Sequence, residues 1–138
     1  MAEEHKLEAQ VLTPEGEVFS GELDMVVTRT TTGEVGILAR HVPMIARLVP
    51  AELRLHTSDS DVETYAQGEG WMEVFANRVR VLVAEAIPPD ELDASELKTR
   101  LDDAKQRMDE ADEDSAAYEQ AKRQCARAEA FIAIAENK

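Results

Sequence analysis

Hydrophobic positions recur every second residue along the first 87 residues and every third or fourth beyond Pro89, and that change of period divides the chain. Leu7, Ala9 and Val11 alternate with polar neighbours, as one face of a strand does, until Pro14, Glu15 and Gly16 break the run. Val18 and Phe19 resume it, Gly21 interrupts, and residues 23–32 are dense in the β-branched side chains that suit a pleated surface. Three strands are therefore expected before Gly33.

The next stretch, GEVGILARHVP at residues 33–43, is punctuated by two glycines and closed by Pro43, which predicts an irregular turn-and-strand segment. Segments of that kind on a rigid scaffold are where function tends to reside. Leu53 and Leu55 then alternate with Arg54 and His56, and a polar turn at residues 58–61 makes a hairpin with Val62, Thr64 and Ala66. Gly68 and Gly70 precede Trp71, Met72, Val74 and Phe75, and an Ala76-Asn77-Arg78 turn leads into Val79, Val81 and Val83. Short strands at this spacing predict a sandwich or barrel.

Two prolines at 88 and 89 end the strand pattern, so a β domain is expected over residues 1–88 and a helical one over 89–138. Asp93 with Glu96 forms an Asp-type capping box and Leu92 with Leu97 a hydrophobic staple, which starts a helix near Ala94. Leu97, Leu101, Ala104, Met108 and Ala111 form one seam; Tyr118, Ala121, Cys125, Ala128, Ile132 and Ala135 form a second after the acidic link at residues 112–115. The fold class is thus α+β by segregation, an antiparallel β-sandwich followed by an antiparallel two-helix hairpin. Pairs such as Glu96 with Arg100, Asp103 with Arg107 and Glu119 with Arg123 support the solvent faces. The seams are rich in alanine, which adds little apolar area, so a weakly held, mobile arm on a firm β domain is expected.

Charge narrows the partners. The chain carries 29 acids against 15 lysines and arginines, net −14, which disfavours nucleic acid or anionic lipid on a general basic surface. One cysteine, Cys125, excludes an internal disulfide and a multi-cysteine zinc site. The opening MAEEHKLEAQ lacks the basic start and apolar run of a signal peptide, and no stretch reaches the ~20 apolar residues of a spanning helix, so a cytoplasmic protein is expected. There is no P-loop or nucleophile elbow, and His5, His41 and His56 lack metal-ligand spacing; no catalytic, metal or cofactor role is expected.

With these elements in order, the chain resembles the epsilon subunit of bacterial F-type ATP synthases over essentially its full length. TPEGEVFSGELDMVV at residues 13–27, GEVGILARHVP, and GEGWMEVFANRVRVLVAEA at residues 68–86 carry the resemblance. It implies a central-stalk rotor subunit of a proton-translocating enzyme, non-catalytic itself, peripheral on the cytoplasmic face of the bacterial plasma membrane. The implied partners are the gamma subunit, the c ring, and the catalytic alpha and beta subunits, the last two reached by the helical arm as it restrains ATP hydrolysis.

Residue by residue, the resemblance implies c-ring contact at Glu34 and His41, although His41 equally suits a hydrogen bond that holds its own loop. Lys122, Arg123 and Arg127 are the implied inhibitory arm contacts with an acidic beta-subunit segment; the bland alternative is a solvated helix face. The family's nucleotide motif begins correctly at Leu92-Asp93, but Glu96 and Leu97 replace its basic residue and alanine. Arg127 matches a family arginine and Phe131 stands where another is expected, so ATP binding on the hairpin is expected to be weak or absent, with Asp93 acting as a helix cap. The alternatives are a free-standing β-sandwich binding module whose hairpin self-associates, and a small hydrolase without a visible motif. Trp71 and Met72, pocket candidates on the binding-module alternative, are expected in the core or against gamma.

Overall fold

In the computed structural model residues 6–137 are described; Glu3, Glu4 and His5 of the opening MAEEHKLEAQ lie outside them. The chain divides into two compact units, Met1–Pro88 and Pro89–Lys138.

The first unit contains ten strands among the described residues: β1 Leu7–Thr13, β2 Gly16–Leu23, β3 Met25–Thr30, β4 Gly33–Leu38, β5 Met44–Leu48, β6 Ala51–His56, β7 Val62–Gln67, β8 Gly70–Phe75, β9 Arg78–Val83 and β10 Ala86–Ile87. They form one hydrogen-bonded path, β10-β7-β6-β3-β5-β8-β9-β1-β2, with β4 paired to the other side of β3. The path folds into a sandwich because β3 divides its partners, meeting β6 at Met25, Val26 and Val27 but β5 at Thr30. Every ladder is antiparallel except that of β1 with β9, which runs parallel.

Period-two alternation accounts for the core. In β9, Val79, Val81 and Val83 point inward while Arg78, Arg80 and Leu82 point outward. Leu53 and Leu55 of β6, Met72 and Val74 of β8, and Ile37 of β4 join them with Leu7, Val11, Leu23 and Val26. Each such side chain, once fully buried, stabilises the fold by roughly 1.5–3 kcal/mol. Of the two places expected for Trp71 the core is excluded, and two further residues depart from simple alternation. Trp71 is on the outer face, about half exposed, with the Arg47 guanidinium 5.8 Å from its ring centre, because β8 turns Met72 rather than Trp71 inward. Val62 is exposed at the open end of its ladder opposite His56. Gln67, at the far end of the same strand, is wholly buried: it accepts from Thr28 Oγ1 at 2.6 Å and donates to the Val49 carbonyl at 2.9 Å, which meets the requirement of a buried amide.

The second unit opens with a 3-10 turn, Pro89–Glu91, and continues as α1 Ala94–Glu110 and α2 Ala116–Glu136. Asp93 Oδ1 accepts from the amides of Ser95 at 3.0 Å and Glu96 at 3.2 Å, so the N-cap forms where its residue type predicts. The Glu96 carboxylate, for its part, pairs with Arg100 at 2.8 Å. Ser115 caps α2, its Oγ accepting from the Tyr118 amide at 3.1 Å. Lys98 meets Glu136 at 2.9 Å and Arg107 donates to Gln124 Oε1, which fixes the helices as antiparallel. This last bond takes Arg107 across the hairpin rather than to Asp103. The apolar face of α2 also departs from expectation. Phe131 and Ile134 are buried beside Ala121, Cys125, Ala128 and Ala135, whereas Ile132 is only half-buried; the last turns cover a wider stripe than a narrow seam.

Candidate functional site

The most distinctive surface of the sandwich is built from β4, the 39–43 connection and the start of β5. Thr30 Oγ1 donates to the Gly33 carbonyl at 3.0 Å and closes the turn that starts β4, where Gly33 has φ 129 and no other residue fits without strain. β4 then pairs with β3 along its length, Glu34 opposite Arg29 and Leu38 opposite Met25. Its outer edge carries no ladder among the described residues.

Glu34 and His41 occupy opposite ends of this stretch. At ~3.3 Å per residue, β4 alone separates Glu34 from Leu38 by about 13 Å, so the two are separate contact points and not one chemical site. Glu34 is exposed, with Arg54 Nη2 at 4.0 Å; the same arginine donates to Glu52 Oε1 at 2.9 Å. A shared, solvent-screened cation leaves Glu34 free to accept from a further basic group. His41 is half-buried; its Nδ1 lies 2.8 Å from the Val42 carbonyl, which can only accept, so the proton of that bond belongs to Nδ1. Its amide donates to the Leu38 carbonyl at 3.2 Å. The histidine therefore holds its own loop, and Nε2 is the nitrogen left for a partner.

Three large apolar side chains in or beside this loop stand in the open: Leu38 at 58%, Val42 at 69% and Ile45 at 72% exposure. Phe75, at 64%, lies on β8 two residues from Glu73, the register partner of Ile45. A hydrophobic set of this kind beside polar groups has the composition of a surface suited to contact with another macromolecule. Sequence reasoning passed over it because Leu38 and Ile45 look like core residues of their strands; only the inward turn of Ile37 and Leu48 assigns them outward.

Elsewhere on the unit, an open trough of about 600 Å³ lies over β1, β2, β8 and β9. Its arginines already face acids, Arg78 with Glu8 at 3.5 Å and Arg80 with Glu73 at 3.7 Å. No group of three or more metal-ligating side chains occurs among the described residues, and no helix there is long and apolar enough to cross a membrane.

On the helical unit, Lys122 and Arg123 are exposed on α2. Arg127 is half-buried, its guanidinium 4.5 Å from the Phe131 ring centre. Arg123 and Arg127 share one helical stripe, four residues apart, while Lys122 lies about 100° around the helix from Arg123. Asp93 is engaged as a cap, as described above. Burial raises the Cys125 thiol above its ordinary value, helped by nearby Glu129 and opposed by Lys105 and Arg107.

Comparisons with known proteins bear on this geometry. Residues 6–89 match the family model described as ATP synthase, Delta/Epsilon chain, beta-sandwich domain. The ATP synthase epsilon chain of Persephonella marina is 38% identical over 101 residues, covering 73% of this chain and 74% of that one. That of Mycolicibacterium vanbaalenii is 38% identical over 118 residues, covering 85% and 92%. Among solved structures, the fold matches a chain of the Euglena gracilis mitochondrial ATP synthase with TM-score 0.80 at 22% identity, over 93% of this chain and 80% of that one.

Proposed function

The chain belongs to the ATP synthase delta/epsilon family, and from that premise we propose that it is a non-catalytic central-stalk subunit of a proton-translocating ATP synthase. In this reading the sandwich docks on the gamma subunit and the c ring, and the helical arm reaches the catalytic alpha and beta subunits to restrain ATP hydrolysis. The protein then sits peripherally on the cytoplasmic face of the plasma membrane, held there by its partners. The single observation that carries the reading is the family match spanning the whole sandwich, residues 6–89, on the unit that presents the exposed surface around His41.

The geometry suits the task. A rotor foot has to transmit torque without shearing, and a continuous run of ladders around one buried core resists shear because a one-residue slip would turn every inward side chain outward. Leu38, Val42 and Ile45 supply apolar contact, and Glu34 with His41 Nε2 supplies polar contact to the loops of the c ring. The arm is the part that can let go. Lys122, Arg123 and Arg127 are the side chains through which α2 meets an acidic segment of the beta subunit. Nucleotide is not expected to hold the arm, since Glu96 would repel phosphate beside Asp93.

The test is ATP hydrolysis by the reconstituted complex with the chain truncated after Asp90. The truncated chain is expected to remain bound and hydrolysis to rise. Loss of the truncated chain from the complex would refute docking through the sandwich, and an unchanged rate would refute restraint by the arm. Neutralising Lys122, Arg123 and Arg127 together should reproduce part of the rise.

A further inference from the structure

We propose that Asn77 is the positioning residue for the 39–43 loop, and, resting on the docking role inferred above for that loop, a determinant of how tightly the sandwich binds its rotor partners. The loop joins β4 to β5 and carries no ladder of its own. Arg40 within it has φ 66, a left-handed conformation that a non-glycine residue keeps only where its surroundings hold it. The hold comes from 37 residues away in sequence: Asn77 Oδ1 accepts from the Arg40 amide at 2.9 Å.

Asn77 is itself fixed from three sides. It has φ 63 and follows Ala76 at φ 51 in the two-residue turn between β8 and β9, a pairing of left-handed residues that favours asparagine. Its Nδ2 donates to the Lys6 carbonyl at 2.8 Å, and its own carbonyl accepts from the Glu8 amide at 3.1 Å. One partner of the carboxamide is an obligate donor and the other an obligate acceptor, so its orientation is set and Oδ1 has to face Arg40. The side chain thereby staples the 39–43 loop to the start of β1 through the β8–β9 turn. His41 and Val42, which follow Arg40 directly, inherit their placement from that staple.

The experiment uses the full chain and two variants. Glycine tolerates φ 63 and favours such turns, so Asn77→Gly removes both side-chain bonds while keeping the hairpin. Asn77→Asp keeps an acceptor for Arg40 but sets a carboxylate oxygen against the Lys6 carbonyl, so it breaks that tie by repulsion and leaves the one to Arg40. Amide hydrogen exchange read at Arg40, Val79 and Val81 is expected to speed about tenfold at Arg40 alone in Asn77→Gly, and to stay near the parent rate in Asn77→Asp. Unchanged exchange at Arg40 in the glycine variant overturns the proposal; so does equal acceleration at Val79 and Val81, which would make Asn77 a turn residue only. Association with a surface-captured gamma–c-ring subcomplex is the second readout, expected to weaken about tenfold in Asn77→Gly, chiefly through faster dissociation. Altered exchange with unaltered association leaves the staple standing and overturns the docking role of the loop.

Discussion

Leu53, Leu55, Ile37 and Met72 fill the sandwich with large side chains that no solvent reaches, whereas the helical seam buries Leu97 and Ala104 on α1 and, on α2, four small side chains beside Phe131 and Ile134. The backbone differs as sharply. Each strand depends on its neighbours for its hydrogen bonds, so the sandwich cannot part without exposing donors and acceptors; each helix satisfies its own and can separate from the other at little cost in hydrogen bonds. A weak apolar seam combined with self-sufficient backbone makes an element that can change partners. A strong core combined with shared backbone makes one that cannot. On the proposed reading, the two properties a regulated rotor subunit requires are divided between the two units, and that division can be broken from either side.

The largest effect is expected at Gly70. A Cβ there would lie 1.9 Å from the Leu82 carbonyl oxygen and 2.7 Å from Val83 Cα, both backbone atoms that the ladder holds in place. Gly70→Ala should cost more than about 3 kcal/mol in chemical denaturation of the sandwich. Gly36→Ala is the control, because its nearest neighbour is the flexible Met25 Sδ at 3.5 Å. Equal losses in both would show that the sandwich is more plastic than its packing indicates.

Phe131 is next, as the largest buried side chain of the helical unit. Phe131→Ala should remove about 3 kcal/mol, and amide exchange should report that loss in α2 while β9 stays protected. A matching loss of protection in β9 would mean that the two units unfold as one. Asp93→Ala, which deletes the cap of α1, should cost about 1 kcal/mol of helical stability by circular dichroism and nothing in the sandwich.

How much of this was legible beforehand follows from the range of each interaction. Asp93 and Glu96 lie within four residues and are flanked by Leu92 and Leu97, and the start of α1 could be read from them directly. The valines of β9 announce their face by strict alternation. Phe131 could not be read in the same way: the spacing of Ala128, Ile132 and Ala135 is consistent with a narrow seam, and which stripe is buried depends on packing and not on period. Trp71 and Met72 are adjacent and apolar, so alternation alone leaves open which one faces in. At the candidate site, Glu34 and His41 were reachable only through a resemblance. Asn77 could be read as a turn residue but not as the partner of Arg40, since that bond spans 37 residues.

Alkaline pH gives a smaller and selective probe. Burial, then Glu129, raises the folded thiol of Cys125 above the ordinary 9.0, so above that pH the unfolded chain sheds a proton that the folded chain keeps. Folded stability should therefore fall as pH rises from 9.0 through the higher folded value, and be unaffected by this group at neutral pH. Cys125→Ala should flatten that alkaline decline in helical signal. A decline of the same steepness in the variant would assign it to other groups.

The smallest effect concerns the tie between the two ends of the hairpin. Lys98 and Glu136 meet at 2.9 Å, but their side chains are 57% and 53% exposed, and at that exposure water and salt screen most of the attraction. A double-mutant cycle with Lys98→Ala and Glu136→Ala should give a coupling of about 0.5 kcal/mol or less, vanishing in molar salt. This bond lies at the open end of the hairpin, beside the buried Leu97, Phe131 and Ile134, where the seam ends in solvent. A coupling well above that, persisting in salt, would mean the ends of the hairpin are locked, and the weak-seam side of the comparison would no longer hold.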